Sequence, residues 1–244
     1  YLWNRFSMGT LYALGDILTE PAEAHLWYLY AMIPIYLALP FFQVMCRGMS
    51  MKLERAFLIV TTAAVVLNYF LRLAGQELYY DMPLVGDRIY AYYLYVGYYL
   101  YKYRRHIPLG QRPALIICLL SMAATFGITW GETVEQGSHY EGALTYESVF
   151  VLLAAVSFFL FMIRLGDAHI RFGEGARKVI DLFCGCSFGI YLIHIIFLDS
   201  YKKYIEAADL TAWAAVPGLI AVISLASFLC VWVLRRFKIG RVIT

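Results

Sequence analysis

The segment SFGIYLIHIIFLD, residues 187–199, sets a hydroxyl, a phenol and an imidazole into an otherwise apolar run. Ser187, Tyr191 and His194 stand at i, i+4 and i+7, one face of a helix. Histidine titrates near neutral pH, so such a stripe suits proton transfer to or from a hydroxyl. It equally suits hydrogen bonding to a neighbouring helix. A second pair, Asn68 and Arg72, lies at i, i+4 and offers an amide and a guanidinium to a sugar or a phosphate. The alternative for Arg72 is a side chain that snorkels to the membrane interface. A second histidine, His25, opens the run HLWYLYAMIPIYLALPFF at 25–42, two residues before Trp27.

Two further stretches are rich in polar chemistry. IYAYYLYVGYYLYKY at 89–103 holds eight tyrosines, more than two interfacial belts require. Some phenols therefore face inward and need partners, and Gly97 allows close approach by a helix or ligand. Glu132, Glu135, His139 and Glu141 make an acidic loop that reads as a cation or acid–base site, or as a solvated connection.

The elements that position these groups follow from composition. The 244 residues are 62% hydrophobic and 15% charged, with mean hydropathy +0.66. A soluble domain is about 45–50% apolar and ~25% charged, so this chain reads as an all-α, polytopic membrane helix bundle. Seven spans are expected, near 25–45, 56–75, 89–103, 113–130, 148–163, 179–198 and 212–234. Uninterrupted runs without polar–apolar alternation exclude a transmembrane β-barrel. The whole of 1–244 reads as a single membrane domain.

Charge separates the connections by side. Segments 46–55, 102–112, 164–178 and 235–244 hold 15 of the 20 Lys and Arg. Segments 1–24, 76–87, 131–147 and 199–211 hold 13 of the 17 acids. Basic connections stay in the cytoplasm, which places the N-terminal end outside, the C-terminus inside and His25 at the outer face. The basic residues otherwise face anionic lipid headgroups, and no nucleic-acid partner is expected. A chain starting outside with Tyr1 and no signal peptide reads as the C-terminal part of a longer protein, with 1–18 as the end of a preceding helix or a reentrant segment.

Five cysteines give no disulfide framework, and Cys184 and Cys186 point about 200° apart on a helix, so no metal site is expected. GEG at 173–175 follows no strand and reads as a turn.

Three of these segments resemble the signatures of the type 3 membrane acyltransferases. HLWYLYAMIPIYLALPFF is similar to that family's His-Leu-Trp-aromatic-Leu segment, YAYYLYVGYYLYK to its tyrosine-glycine helix, and SFGIYLIHIIFLD to its late Ser-Phe-Gly-Ile-Tyr-Leu-hydrophobic-His helix. They occur in the family's order and span nearly the whole chain. The resemblance implies a ten-helix enzyme of the bacterial cytoplasmic membrane. It would move an acetyl or other small acyl group from cytoplasmic acyl-CoA, a co-substrate rather than a bound cofactor, to a hydroxyl of a surface carbohydrate or glycolipid. His194 and Tyr191 would be catalytic. His25, Trp27, Asn68, Arg72 and Ser187 would contact the acceptor, and Arg104 and Arg105 the coenzyme A phosphates. The family's first helix, with an Arg and a following His, and its Arg-x-x-Arg segment are not in this sequence, so the fragment alone is expected to be inactive. A glycan or lipid transporter or flippase is the rival reading, and a seven-helix receptor a weaker one.

The charge pattern makes a direct prediction. Cysteines introduced near Gly137 and Ala207 should react with an impermeant thiol reagent added outside, and those near Gly110 and Gly173 should not. Outside labelling at Gly110 would invert the orientation.

Overall fold

The computed structural model describes residues 24–76, 84, 89–168, 173–207 and 212–237. It is all-α among these residues. Seven helices follow one another: α1 Trp27–Gly48, α2 Met51–Leu73, α3 Ile89–Lys102, α4 Gln111–Gln136, α5 Val149–Asp167, α6 Glu174–Ala207 and α7 Ala212–Leu234. Single 3₁₀ turns occur at Ala24–Leu26, Arg104–His106 and Gly142–Leu144. The expected reentrant segment at 1–18 and nearly all of the acidic connection 76–87 lie outside the described residues.

Six helical segments are long and apolar enough to cross a membrane, with mean hydropathies of 1.7 to 2.4. The seventh, α3, has 14 residues. At ~1.5 Å per residue it reaches about 21 Å, short of the ~30 Å hydrocarbon core. The span expected at 89–103 is thus a helix in the expected place, but a short and buried one. Its tyrosines explain the burial: Tyr92, Tyr95 and Tyr99 are sealed inside the protein, where their rings fill volume.

Local signals set the helix ends. Ser50 caps α2, its Oγ accepting from the Leu53 N–H at 3.4 Å. Pro113 sits in the first turn of α4, where no amide hydrogen is needed. Gly137 ends α4 in the left-handed region with φ 63°, which costs glycine little.

The chain forms two compact units. One comprises 31–170. In it α3 packs against α2 and α5, and α4 packs along α5. Val65, Tyr92, Val96, Leu100, Ala114, Leu152 and Leu160 make its core. The outward faces of α2 and α4, with Val60, Phe70, Leu120 and Phe126, are apolar and exposed, as lipid contact requires. The phenols of α3 are spent internally: Tyr92 bonds Thr62 Oγ1 at 2.9 Å, Tyr93 donates to the Tyr146 carbonyl at 2.8 Å and Tyr95 to the Glu54 carbonyl at 3.1 Å. Gly97 does not serve close approach, because a Cβ there would meet open space.

The other unit comprises 1–30 and 171–244. Helices α6 and α7 pack together, with Phe183 stacked on Phe228 at 4.5 Å and Cys186, Ser227 and Val231 sealed between them. Cys184 is exposed while Cys186 is buried, so the two thiols do face apart.

One ion pair in the 31–170 unit was not legible from the sequence. Glu54 is fully buried, and Lys102 Nζ reaches its Oε1 at 2.7 Å and the Tyr98 hydroxyl at 2.8 Å. Removing one partner of a buried pair leaves an uncompensated charge, which costs ~3–5 kcal/mol when burial is complete. Lys102 is 34% exposed, which reduces that penalty. Lys102→Met should therefore destabilise the detergent-purified protein by about 2 kcal/mol, and adding Glu54→Gln should recover part of it. Thermal unfolding of the two variants checks this; a double variant less stable than Lys102→Met would refute the pairing.

Candidate functional site

The 3₁₀ turn that carries His25 meets the middle of α6 within one compact unit. The His25 ring lies 5.0 Å from the His194 ring, edge to face at 82°, and 5.9 Å from the Tyr191 ring. Tyr28, one turn on, stands 6.0 Å from Tyr191, and Phe188 stacks beside it. Trp27 is half-exposed at the edge, with its ring 6.1 Å from Tyr28. Three of the residues selected from sequence, His25, Tyr191 and His194, are therefore in one aromatic nest despite more than 160 residues between them.

The hydrogen bonds assign different tasks to these groups. The Tyr191 phenol donates to the His25 backbone carbonyl at 2.5 Å, tying the turn to α6. The phenolic hydrogen, expected to serve catalysis, is here engaged by the protein's own backbone. His194 Nδ1 lies 2.7 Å from the Tyr191 carbonyl. A bond to a carbonyl puts the proton on Nδ1 and leaves the Nε2 lone pair as a base. Both ring nitrogens of His25 are buried and lack a hydrogen-bond partner among the described residues. Buried polar groups are nearly always satisfied, so an unsatisfied imidazole marks a place where something else bonds. Ser187 does not join this cluster. It is exposed, and its hydroxyl donates to the Cys184 carbonyl of its own helix at 2.8 Å.

Asn68 and Arg72 lie in the other unit and share a partner. Asn68 Nδ2 donates to Glu147 Oε2 at 3.1 Å, and Arg72 Nη1 reaches the same oxygen at 2.7 Å. Glu147 is the last acid before α5 and is buried. It had no distinguishing spacing in the sequence; only its position at the mouth of a span marked it. A cleft of about 620 Å³ opens beside this cluster, lined by Arg72, Tyr90, Glu141, Thr145, Tyr146 and Glu147 among others. His139 and Glu141 pair at 3.3 Å in exposed positions.

The two arginines expected to hold donor phosphates differ. Arg104 is engaged: its Nη1 donates to the Tyr101 carbonyl at 2.9 Å, its guanidinium stacks 4.5 Å over the Tyr101 ring and its Nε faces Asp167 at 3.6 Å. Arg105 is exposed and has no ion pair among the described residues. Arg164 is a structural clasp, donating to the Ile107 and Leu109 carbonyls at 2.6 and 3.1 Å. Arg177 faces Asp181 at 3.9 Å.

A family model described as an acyltransferase domain matches residues 2–236. No curated protein and no solved structure matches the chain.

The tie between Tyr191 and His25 is testable apart from any activity. Tyr191→Phe should lower stability by about 1 kcal/mol, the net worth of one hydrogen bond. Ser187→Ala should change it by less than ~0.5 kcal/mol, because its hydroxyl is exposed and bonded locally. Chemical or thermal unfolding in detergent distinguishes the two; equal losses would refute the assignment.

Proposed function

The chain belongs to the acyltransferase 3 family, and from that membership and the histidine nest we propose that this multi-pass membrane acyltransferase moves an acyl group from acyl-CoA to a hydroxyl of a surface carbohydrate or glycolipid. The observation that carries the reading is the buried, unpartnered imidazole of His25, 5.0 Å from a second imidazole whose basic nitrogen is left available.

The chemistry follows from those two rings. An acceptor hydroxyl entering the nest meets the unsatisfied nitrogens of His25, which fix its orientation. His194 Nε2 takes the hydroxyl proton as the oxygen attacks the thioester carbonyl. The new C–O bond forms, the C–S bond breaks, and the coenzyme A thiolate leaves and is reprotonated. Tyr191 holds the two histidines in register. Trp27, at the edge, provides an indole surface for a sugar ring. Acyl-CoA approaches from the cytoplasmic side, where the charge pattern puts Arg105 with a guanidinium open to a phosphate. The membrane is the bacterial cytoplasmic membrane.

Acyl transfer from radiolabelled acetyl-CoA to membrane glycan, measured in cells expressing the complete gene, tests this. His25→Ala and His194→Ala should each reduce transfer, with losses of up to about 10²-fold for a positioned acid–base group. The double variant should lose much less than the product of the two, because both rings serve one proton path. Unchanged transfer in both single variants, at wild-type levels of folded protein, would reduce the nest to packing. Glycan movement across the membrane without acyl-CoA consumption would favour a transporter instead.

A further inference from the structure

From the cleft beside Arg72 and Glu147 we infer a carbohydrate subsite for a neutral, hydroxyl-rich ring, and not for a phosphate or a sugar acid; the inference rests on the acyl-transfer reading and adds the acceptor's charge class.

The cleft is built from the end of α2, the start of α3 and the loop before α5, all within the 31–170 unit. Its volume of about 620 Å³ lies within the ~300–1,000 Å³ usual for ligand clefts. The charge of its lining decides the ligand class. One guanidinium, Arg72, faces two carboxyl groups, Glu141 and Glu147. Arg72 is already paired, since Glu147 Oε2 lies 2.7 Å from its Nη1. An anionic ligand would have to displace Glu147 or approach two carboxylates. Displacing Glu147 would also strip Asn68 of its partner in a buried position. A phosphate or carboxylate is therefore opposed by the same residues that surround the arginine.

A neutral polyol meets no such opposition. The Arg72 side chain is 51% exposed, and only Nη1 is engaged among the described residues, so Nε and Nη2 can donate to ring hydroxyls. Carboxylates accept from hydroxyls, and pairing a fixed donor fork with a fixed acceptor suits adjacent hydroxyl groups on a sugar. Tyr90 and Tyr146 add an aromatic wall, their rings 5.4 Å apart and tilted by 65°. The wall is held in place through the backbone, where Tyr93 donates to the Tyr146 carbonyl at 2.8 Å.

Binding is measured without acyl donor, on full-length protein in detergent, by saturation-transfer NMR. The probes are maltose and cellobiose as neutral sugars, with glucuronate and glucose 6-phosphate as anions. The neutral sugars should show transfer to their ring protons and the anions should not. Tyr146→Ala removes the wall but keeps the backbone bond. Arg72→Lys keeps an ion pair with Glu147 but loses the planar fork. Each should weaken neutral-sugar binding by about tenfold, the equivalent of one hydrogen bond or ring contact. Preferred binding of glucose 6-phosphate or glucuronate would overturn the proposal. So would neutral-sugar binding that survives both substitutions, or no binding of either neutral sugar. The proton-transfer reading fails separately: His194→Ala lies in the other unit, and full acyl transfer in that variant, with sugar binding intact, would reject the histidine mechanism and leave the cleft standing.

Discussion

Hydrocarbon offers no hydrogen bonds, so a polar group on a membrane helix is satisfied by the protein or not at all. That constraint organises this molecule. The Thr61, Thr125 and Ser157 hydroxyls donate back to carbonyls of their own helices. The tyrosines of α3 find Thr62, the Glu54 carbonyl and the Tyr146 carbonyl. Glu54 takes Lys102, and Glu147 takes both Asn68 and Arg72. Polar residues here act as bolts between helices whose outward faces are uniformly apolar.

Among the described residues the buried side-chain atoms left without a hydrogen bond are single oxygens of Glu54, Thr129, Ser148 and Ser227 and both ring nitrogens of His25. Of these, only His25 leaves both polar atoms of its side chain without a partner among the described residues. The phenol of Tyr191 ties the backbone of this turn to α6. Under the proposed acyl transfer, this imidazole beside a second histidine would meet the acceptor hydroxyl, which has both donor and acceptor character. Arg72 is the complementary case. Its charge is answered by Glu147, yet half of its side chain remains exposed at the cleft.

The two units use their aromatics differently. In the 31–170 unit Tyr92, Tyr95 and Tyr99 of the 14-residue α3 are buried in the interior. In the other unit the rings of Tyr28, Phe188 and Tyr191 gather beside the histidines. Arg104 and Arg164 show a third use of polar groups: both brace the turn after α3, the first through Tyr101 and the second through Ile107 and Leu109.

The amino-acid sequence alone determined the all-α membrane class and the places of seven helices, and it singled out His25, Tyr191 and His194, because hydropathy, i, i+4 spacing and an ionisable group in an apolar run are local properties. It also required a partner for Asn68. It could not name that partner, because Glu147 lies 79 residues away and looked like one more acid in a solvated loop. Nor could it tell that Lys102 ends its helix against a buried Glu54, or that Ser187 turns back on its own helix while Tyr191 reaches across. Those choices depend on which faces meet once the helices pack. A period of 3.6 residues says which side chains share a face, whereas only tertiary contact decides what that face touches.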